Sequence, residues 1–295
     1  MTALAVDPIE KKPLFHFRPG SRVLSVGFAG CNLRCPFCQN WRISLPPPAA
    51  AAGPGVGMSP AELVAAAERD GGRAIAYTYS EPLVHAEFLL DCMSLARGRG
   101  VANVLVTNGC AGAEAAAEVL ALTDAVNIDL KCFSVETYSR LLAGDPSLGG
   151  VLEAVLAFAR LARGKGAHVE ITTLVVPGLN DSDAELGACA DFVASLGGGL
   201  TPWHLSAYRP ARVWGAPPTD PAFLLRARER AGAKLRFVYA GNIPAAENDT
   251  RCHLCGALLV RRGGGGVDAA GLARPRGGGG FFLCAGCGGE TGIVC

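Results

Sequence analysis

The 295 residues are half hydrophobic, enough for a sizeable core, so one large domain with a small appendage is expected. Twenty-seven basic against 26 acidic side chains leave a formal charge of +1, which excludes the electrostatic footprint of a nucleic-acid or anionic-membrane binder. No apolar run approaches the roughly 20 residues that a membrane span needs.

The first stretch, MTALAVDPIEKKPLFHF, has acids and a proline where a signal peptide would need an apolar segment, so a cytoplasmic location is expected. Residues 1–21 read as an N-terminal extension. Arg22–Phe28 (RVLSVGF) reads as the first strand and is followed directly by three clustered cysteines. Leu45–Gly57 is a Pro/Ala/Gly loop of low complexity. Ser59-Pro60-Ala61-Glu62 offers an N-cap, a first-turn proline and a capping-box glutamate, opening a helix to about Arg69. Strands follow at Ala74–Thr78, Val101–Thr107, Ala125–Leu130, Val169–Val176, Trp203–Ser206 and Arg236–Tyr239. Helices fit between them at Leu83–Ala96, Ala113–Leu122, Val151–Arg163, Asp183–Leu196 and Pro221–Ala231. Strands alternating with helices imply an α/β fold with a parallel sheet, and this many repeats imply a partial or full β/α barrel. The core is therefore placed at 22–248. After Asn248 the chain turns Gly- and Cys-rich, and 249–295 reads as a Cys-rich, zinc-ribbon-like appendage.

In a reducing compartment the twelve cysteines are metal ligands, catalytic groups or inert core residues rather than disulfides. Cys31, Cys35 and Cys38 have the spacing C-x3-C-x2-C. Three thiolates this close can wrap one face of an iron–sulfur cubane and leave one iron open to a chelating ligand. Unrelated core cysteines are the bland alternative; a zinc site would want four closed ligands. Polar motifs also gather at the strand ends: Thr78-Tyr79-Ser80-Glu81-Pro82, Thr107-Asn108-Gly109, Asp129-Leu130-Lys131, Val176-Pro177-Gly178 and His204-Leu205-Ser206. In β/α barrels this is the face that builds the active site.

With Phe37 before its third cysteine, the motif resembles the C-x3-C-x-aromatic-C signature of the radical S-adenosylmethionine (SAM) superfamily. Within it the chain is most similar to the radical SAM member of the AmmeMemoRadiSam system. Asp7–Leu14, His16-Phe17, Gly30–Trp41, Tyr79–Pro82, Asn127–Lys131, Glu170–Asp181, Tyr239–Asn242 and the C-terminal cysteine pairs carry that likeness. Pyruvate formate-lyase activating enzymes are more distant relatives. The resemblance implies a catalytic [4Fe–4S] cluster on Cys31, Cys35 and Cys38. It implies that SAM is cleaved reductively to methionine and a 5′-deoxyadenosyl radical, which takes hydrogen from a substrate. It also implies a one-electron donor of flavodoxin or ferredoxin type, and it leaves a protein or peptide substrate open.

The same resemblance gives SAM-binding roles to Phe37, Glu81, Asn108, Asp129, Lys131 and His204. Glu81 stands where the family has Gly-Gly-Glu, but Tyr79-Ser80 replace the glycines. Asp129 and Lys131 look like an Asp-x-Lys pair that contacts SAM, and His204 like a histidine packed near adenine. Val106 occupies the place of an aspartate that binds a monovalent cation in activating enzymes, so no such cation is expected. Helix capping by Glu81, a plain Asp129–Lys131 ion pair and a structural His204 are the bland alternatives. Trp203 and Trp214 are expected at the pocket mouth.

Cys252-His253-Leu254-Cys255-Gly256 and Cys284-Ala285-Gly286-Cys287-Gly288 are matched C-x2-C-G units. Glycine after the second cysteine suits a knuckle with positive φ, and two knuckles present four thiolates to zinc. A second iron–sulfur cluster uses the same ligand type. The functional alternatives are a small glycyl-radical-enzyme activase and, in another class, a non-catalytic zinc-ribbon binding module. The absence of cysteine from Gln39 to Tyr77 excludes activases with a ferredoxin-like insert.

Overall fold

Seven parallel strands and one antiparallel edge strand form the central sheet of the computed structural model, which describes every residue except 47–56, 71, 146, 245–246, 264–265 and 276–279. The expected loop at 45–57 thus lies mostly outside the described residues. The strands are β1 (Ala3–Pro8), β2 (Arg22–Gly27), β3 (Ala74–Thr78), β4 (Ala102–Thr107), β5 (Ala125–Asp129), β6 (His168–Val175), β7 (Trp203–Ala207) and β8 (Val238–Gly241). They lie in chain order, and among the described residues β8 does not pair back to β1, so the barrel is partial. Most of β3 and β4 is buried on both faces, as expected of strands sandwiched between a filled lumen and covering helices.

The helices are a short turn α1 (Trp41–Ser44), then α2 (Pro60–Asp70), α3 (Ala86–Gly98), α4 (Ala113–Ala121), α5 (Val151–Gly164), α6 (Asp183–Gly197) and α7 (Pro221–Ala231). Their starts are chemically marked. Ser59 and Glu62 exchange hydrogen bonds in a capping box, Ser182 accepts from the amide of Glu185, and Asp220 accepts from that of Ala222. Two local departures from the sequence reading occur here. The helix expected from Leu83 begins as a 3-10 turn over Pro82–His85, and Thr137–Ala143 forms a π-helical segment after β5.

The N-terminal residues are woven into this barrel. β1 pairs antiparallel with β2, and Ile9, Leu14 and Phe17 fill the lumen against Val23, Ala74, Ala76, Ala102, Val104 and Ala125. Small side chains on the lumen face of β3–β5 leave the volume that this plug occupies. At the other end of the chain, β9 (Thr250–Arg251), β10 (Leu258–Gly263) and β11 (Gly266–Asp268) form one three-stranded sheet. β12 (Leu272–Ala273), β13 (Phe281–Cys284) and β14 (Glu290–Val294) form another. This region docks on the plug. Val294 N–H donates to the His16 carbonyl at 2.8 Å, Arg18 N–H donates back to Val294 at 3.0 Å, and Arg262 Nη2 donates to the Phe15 carbonyl at 2.7 Å.

Candidate active site

Above the plug, at the C-terminal ends of the parallel strands, lies a cavity of about 320 Å³. Cys31, Cys35, Phe37 and Cys38 line it from the loop after β2, Glu81 from the end of β3 and Asn108 from the end of β4. Asp129 enters from the end of β5 and Lys131 from just beyond it, Thr172 from β6 and Ser206 from β7. Eight of the nine residues expected to hold the cluster and SAM are thus brought together; His204 is not.

The cysteine loop carries its own donors. Leu33 N–H points at Cys31 Sγ at 3.3 Å, and the Asn108 amide reaches the same sulfur at 3.8 Å while donating to Asn32 Oδ1 at 2.8 Å. Burial pushes the Cys31 thiol up to about 12 against the pull of Leu33 N–H, and burial raises Cys35 as well. Thiolates here therefore need a cation to be stable. Three soft thiol donors on one wall of a cavity, with amide donors aimed at one sulfur, fit an iron–sulfur cluster.

Glu81 is 1% exposed and fully engaged. Oε1 accepts from Thr107 Oγ1 at 2.6 Å and Leu83 N at 3.1 Å, and Oε2 accepts from Asn108 N at 2.7 Å. Burial outweighs these neutral donors and lifts the carboxyl to about 7. Glu81 thus caps the turn after β3 and ties the β3 and β4 ends together, while remaining on the cavity wall. The glycine substitution has a structural answer. Tyr79 adopts a left-handed backbone, φ +70°, that glycine would take without strain. Its side chain compensates: it lies on Gly27, where an added Cβ would come within 2.9 Å of the ring, and its hydroxyl donates to Asp7 at 2.8 Å.

Asp7 anchors the seam edge of the cavity. Lys11, Lys12, Ser25 and Tyr79 all donate to it. Burial opposes ionisation of Asp7, but the hydrogen bonds from Lys12, Tyr79 and Ser25 and the Lys12 charge hold it well below the usual carboxylate range. Across the cavity Lys131 Nζ pairs with Asp129 at 3.0 Å. Burial disfavours the lysine charge, yet Asp129 and the neighbouring Cys35 favour it more strongly, and its pKa is raised.

His204 stands apart from the other eight. Its neighbour Ser206 faces the cavity, whereas His204 Nε2 meets Glu170 Oε2 at 2.6 Å, one layer lower. Glu170 Oε1 takes His168 Nε2 at 2.9 Å and the His16 amide at 2.7 Å, and His16 Nε2 meets Tyr239 Oη at 2.7 Å. Burial disfavours the Glu170 anion, but the hydrogen bonds and charges of His168 and His204 hold it well below its ordinary value. Burial depresses His16 to about 3, so it is neutral at pH 7. The tryptophans also lie away from the cavity. Trp203 is buried under the helices with Nε1 donating to Thr173, and neither Trp203 nor Trp214 lines the cavity.

The C-terminal cysteines form a second, separate constellation. The Sγ atoms of Cys252, Cys255, Cys284 and Cys287 all lie within 4.8 Å of one another. Cys252–Cys287 are 3.9 Å apart and Cys255–Cys284 3.7 Å. Ligands at about 2.3 Å in a tetrahedron around one ion are about 3.8 Å apart. A cubane would spread its thiolates further. Gly256 and Gly288 adopt φ +76° and +72°, and the amides of Cys287 and Gly286 pull Cys284 down to about 7.

Tyr79, Thr172, Ser206 and Asn242 line the cavity without having been singled out as ligands. Thr172 Oγ1 is buried with no protein partner, a free polar atom for a bound molecule. Strand periodicity could have put Thr172 and Ser206 on the lumen face, but not at the height of the cavity.

The profile described as the Radical SAM superfamily matches residues 25–187. An uncharacterized protein of Methanocaldococcus jannaschii is 42% identical over 264 residues, covering 88% of this chain and 76% of its own length. The pyruvate formate-lyase-activating enzyme of Clostridium pasteurianum is 28% identical over 189 residues, 60% of this chain and 71% of that enzyme. A radical SAM methyltransferase from Sphaerobacter thermophilus superposes with a TM-score of 0.59 at 19% identity, over 82% of this chain and 71% of its own. Streptococcus suis SuiB gives 0.54 at 14% identity, over 79% and 51%. These two structures speak for the fold alone.

Proposed function

This chain belongs to the radical SAM superfamily, a family of enzymes, and on that premise we propose that Cys31, Cys35 and Cys38 hold a [4Fe–4S] cluster and the adjoining cavity holds SAM. The family implies both cofactors. The observation that carries the assignment to these residues is their sharing of one cavity with Glu81, Asn108, Asp129 and Lys131. Held there and reduced, the cluster and SAM would supply a one-electron cleavage and a carbon radical able to take a substrate hydrogen.

The chain's own residues bind and orient. Lys131, charged and beside Cys35, is suited to a carboxylate, and Asp129 to ribose hydroxyls. Glu81, poised near neutrality, gains charge when an ammonium approaches. Phe37 excludes water from the cysteine loop, and Asn108 donates to Cys31. The sequence likeness of Asp7–Leu14 and Tyr79–Pro82 favours the AmmeMemoRadiSam type as the subfamily, and these two segments meet at the Asp7 hub. A small glycyl-radical activase is the second reading, favoured by the likeness to the Clostridium enzyme. Both readings call for a one-electron donor of flavodoxin or ferredoxin type in the cytoplasm, and both admit a protein or peptide substrate. No helix among the described residues is long and apolar enough to cross a membrane.

Anaerobically reconstituted, reduced protein should convert SAM to 5′-deoxyadenosine, detected by chromatography, and Cys35→Ala should abolish it. Continued cleavage by a variant with all three cysteines changed to alanine would end the assignment. At the C-terminal site the short sulfur–sulfur distances support zinc over a second cluster. We place the structural divisions at 1–21, 22–248 and 249–295, with the last segment owing much of its folding energy to metal. Elemental analysis of the triple-alanine variant should find about one zinc and no iron; four irons would reverse this reading.

A further inference from the structure

Three consecutive carbonyls of the cysteine loop are claimed by one short segment, in which the sequence suggests a place only for Trp214. Arg212 Nη1 donates to the Arg34 carbonyl at 2.6 Å and to the Cys35 carbonyl at 2.7 Å. Val213 and Trp214 donate their backbone N–H groups to the Pro36 carbonyl at 3.1 and 3.2 Å. The segment is itself braced. Tyr208 and Thr219 close its ends by exchanging hydrogen bonds, Tyr208 Oη donates to the Trp214 carbonyl at 2.7 Å, and Thr219 Oγ1 donates to Val175 at 2.6 Å. Arg212 holds a left-handed backbone, φ +56°, which a non-glycine residue adopts at a cost. From the opposite side, Arg34 N–H donates to the Leu142 carbonyl of the π-helical segment at 2.6 Å.

The geometry points to Arg212 as a positioning residue: a strap over 208–219 that holds the Cys31–Cys38 loop ready for its cluster and fixes a guanidinium beside it. The inference rests on the cluster reading given above. A carbonyl held by the strap cannot turn toward anionic sulfurs, and a rigid loop loses less entropy when three thiols converge on one group. A guanidinium beside the loop adds positive charge, so it favours whichever cluster state carries more negative charge, the reduced one.

The test compares wild-type protein with Arg212→Gly and Arg212→Lys. Glycine suits the positive φ, so the first variant removes the guanidinium without straining the backbone; lysine keeps the charge and loses the fork. Each protein is reconstituted, and three quantities are read: the rate of iron loss to a chelator, the midpoint potential by spectroscopic titration, and the unfolding midpoint of the iron-free chain. Arg212→Gly should lose iron at least about tenfold faster, equivalent to 1.4 kcal/mol, and its potential should be more negative. Its iron-free unfolding midpoint should match wild type, and Arg212→Lys should recover most of the potential. Wild-type rates and potential in Arg212→Gly overturn the strap. So does iron loss that merely tracks a lowered iron-free unfolding midpoint, with no recovery by lysine. A wild-type protein that takes up no iron instead overturns the cluster reading on which the strap depends.

Discussion

Glu81 and Glu170 are both withdrawn from solvent inside one barrel, yet they settle at opposite ends of the carboxyl range. Each accepts three hydrogen bonds. Glu81, at the cavity, receives them from two backbone amides and a hydroxyl, and burial lifts it to about 7. Glu170, at the base, receives two of them from imidazoles that can take up positive charge, and its anion is favoured despite burial. The number of donors is the same; their capacity to carry charge differs. The base is thereby locked into a compensated polar network, while the upper end keeps a carboxyl whose ionisation awaits a cation.

The sharpest way to break the comparison is Glu170→Ala. Removing one member of a buried charged network costs about 3–5 kcal/mol, because His168, His204 and the His16 amide lose their shared acceptor. Urea denaturation should show that loss, and a change below about 0.5 kcal/mol, the scale of an ordinary surface substitution, would refute the compensated network. At the upper end, Glu81→Gln and Lys131→Ala should each weaken SAM binding by about tenfold or more, since a charge-assisted hydrogen bond contributes about 1.5–3 kcal/mol. Calorimetric titration checks this, and iron content should stay at the wild-type level; iron loss would mean a structural role instead.

The pH dependence of stability separates the two ends by sign. Glu170 and His16 have depressed pKa values in the folded chain. Their contributions are present above the unfolded values, about 4.3 for Glu and 6.5 for His, and are lost as pH falls. Glu81 is raised to about 7, so its contribution is present at low pH and lost as pH climbs toward 7. Between about pH 4.5 and 6.5 the two ends therefore oppose each other. Glu81→Gln should steepen the rise of stability with pH in that window by up to about 1 kcal/mol per pH unit. Parallel profiles for the variant and wild type, measured by denaturation at several pH values, would contradict the raised carboxyl.

The smallest expected effect concerns the second cysteine site. Cys284→Ser should release metal and loosen β9–β14. It should change SAM affinity by less than about twofold, because sites that share no partners act nearly independently. Val294, His16 and Arg262 join the C-terminal region to the base rather than to the cavity. A SAM affinity that falls with the metal would show that the two ends are coupled.

Much of the upper site was legible along the chain. The cysteine spacing, and polar residues ending successive strands, are local features, and a parallel β/α sheet puts all strand C-termini on one face. The two C-x2-C-G knuckles were equally local, down to the positive φ of Gly256 and Gly288. The base was not legible. His204 and Ser206 lie two residues apart on one strand and point the same way, so periodicity treats them alike. The ladder pairs His204 with Thr172, which lines the cavity, yet the His204 ring turns to Glu170, two residues lower on β6.

Composition and spacing thus determined, without coordinates, an alternating α/β chain with three clustered thiols and a four-thiol tail. They also pointed to the C-terminal end of the sheet as the place of the candidate site. Tertiary structure alone decided that residues 3–17 complete the sheet and plug its lumen, that Tyr79 takes a glycine's conformation, and that Arg212 grips the cysteine loop. His16 and Glu170 are 154 residues apart in sequence, and Arg212 and Cys35 are 177 apart. Contacts of that range follow from strand register and from the volume left inside the closing sheet, and no local pattern of residues encodes either.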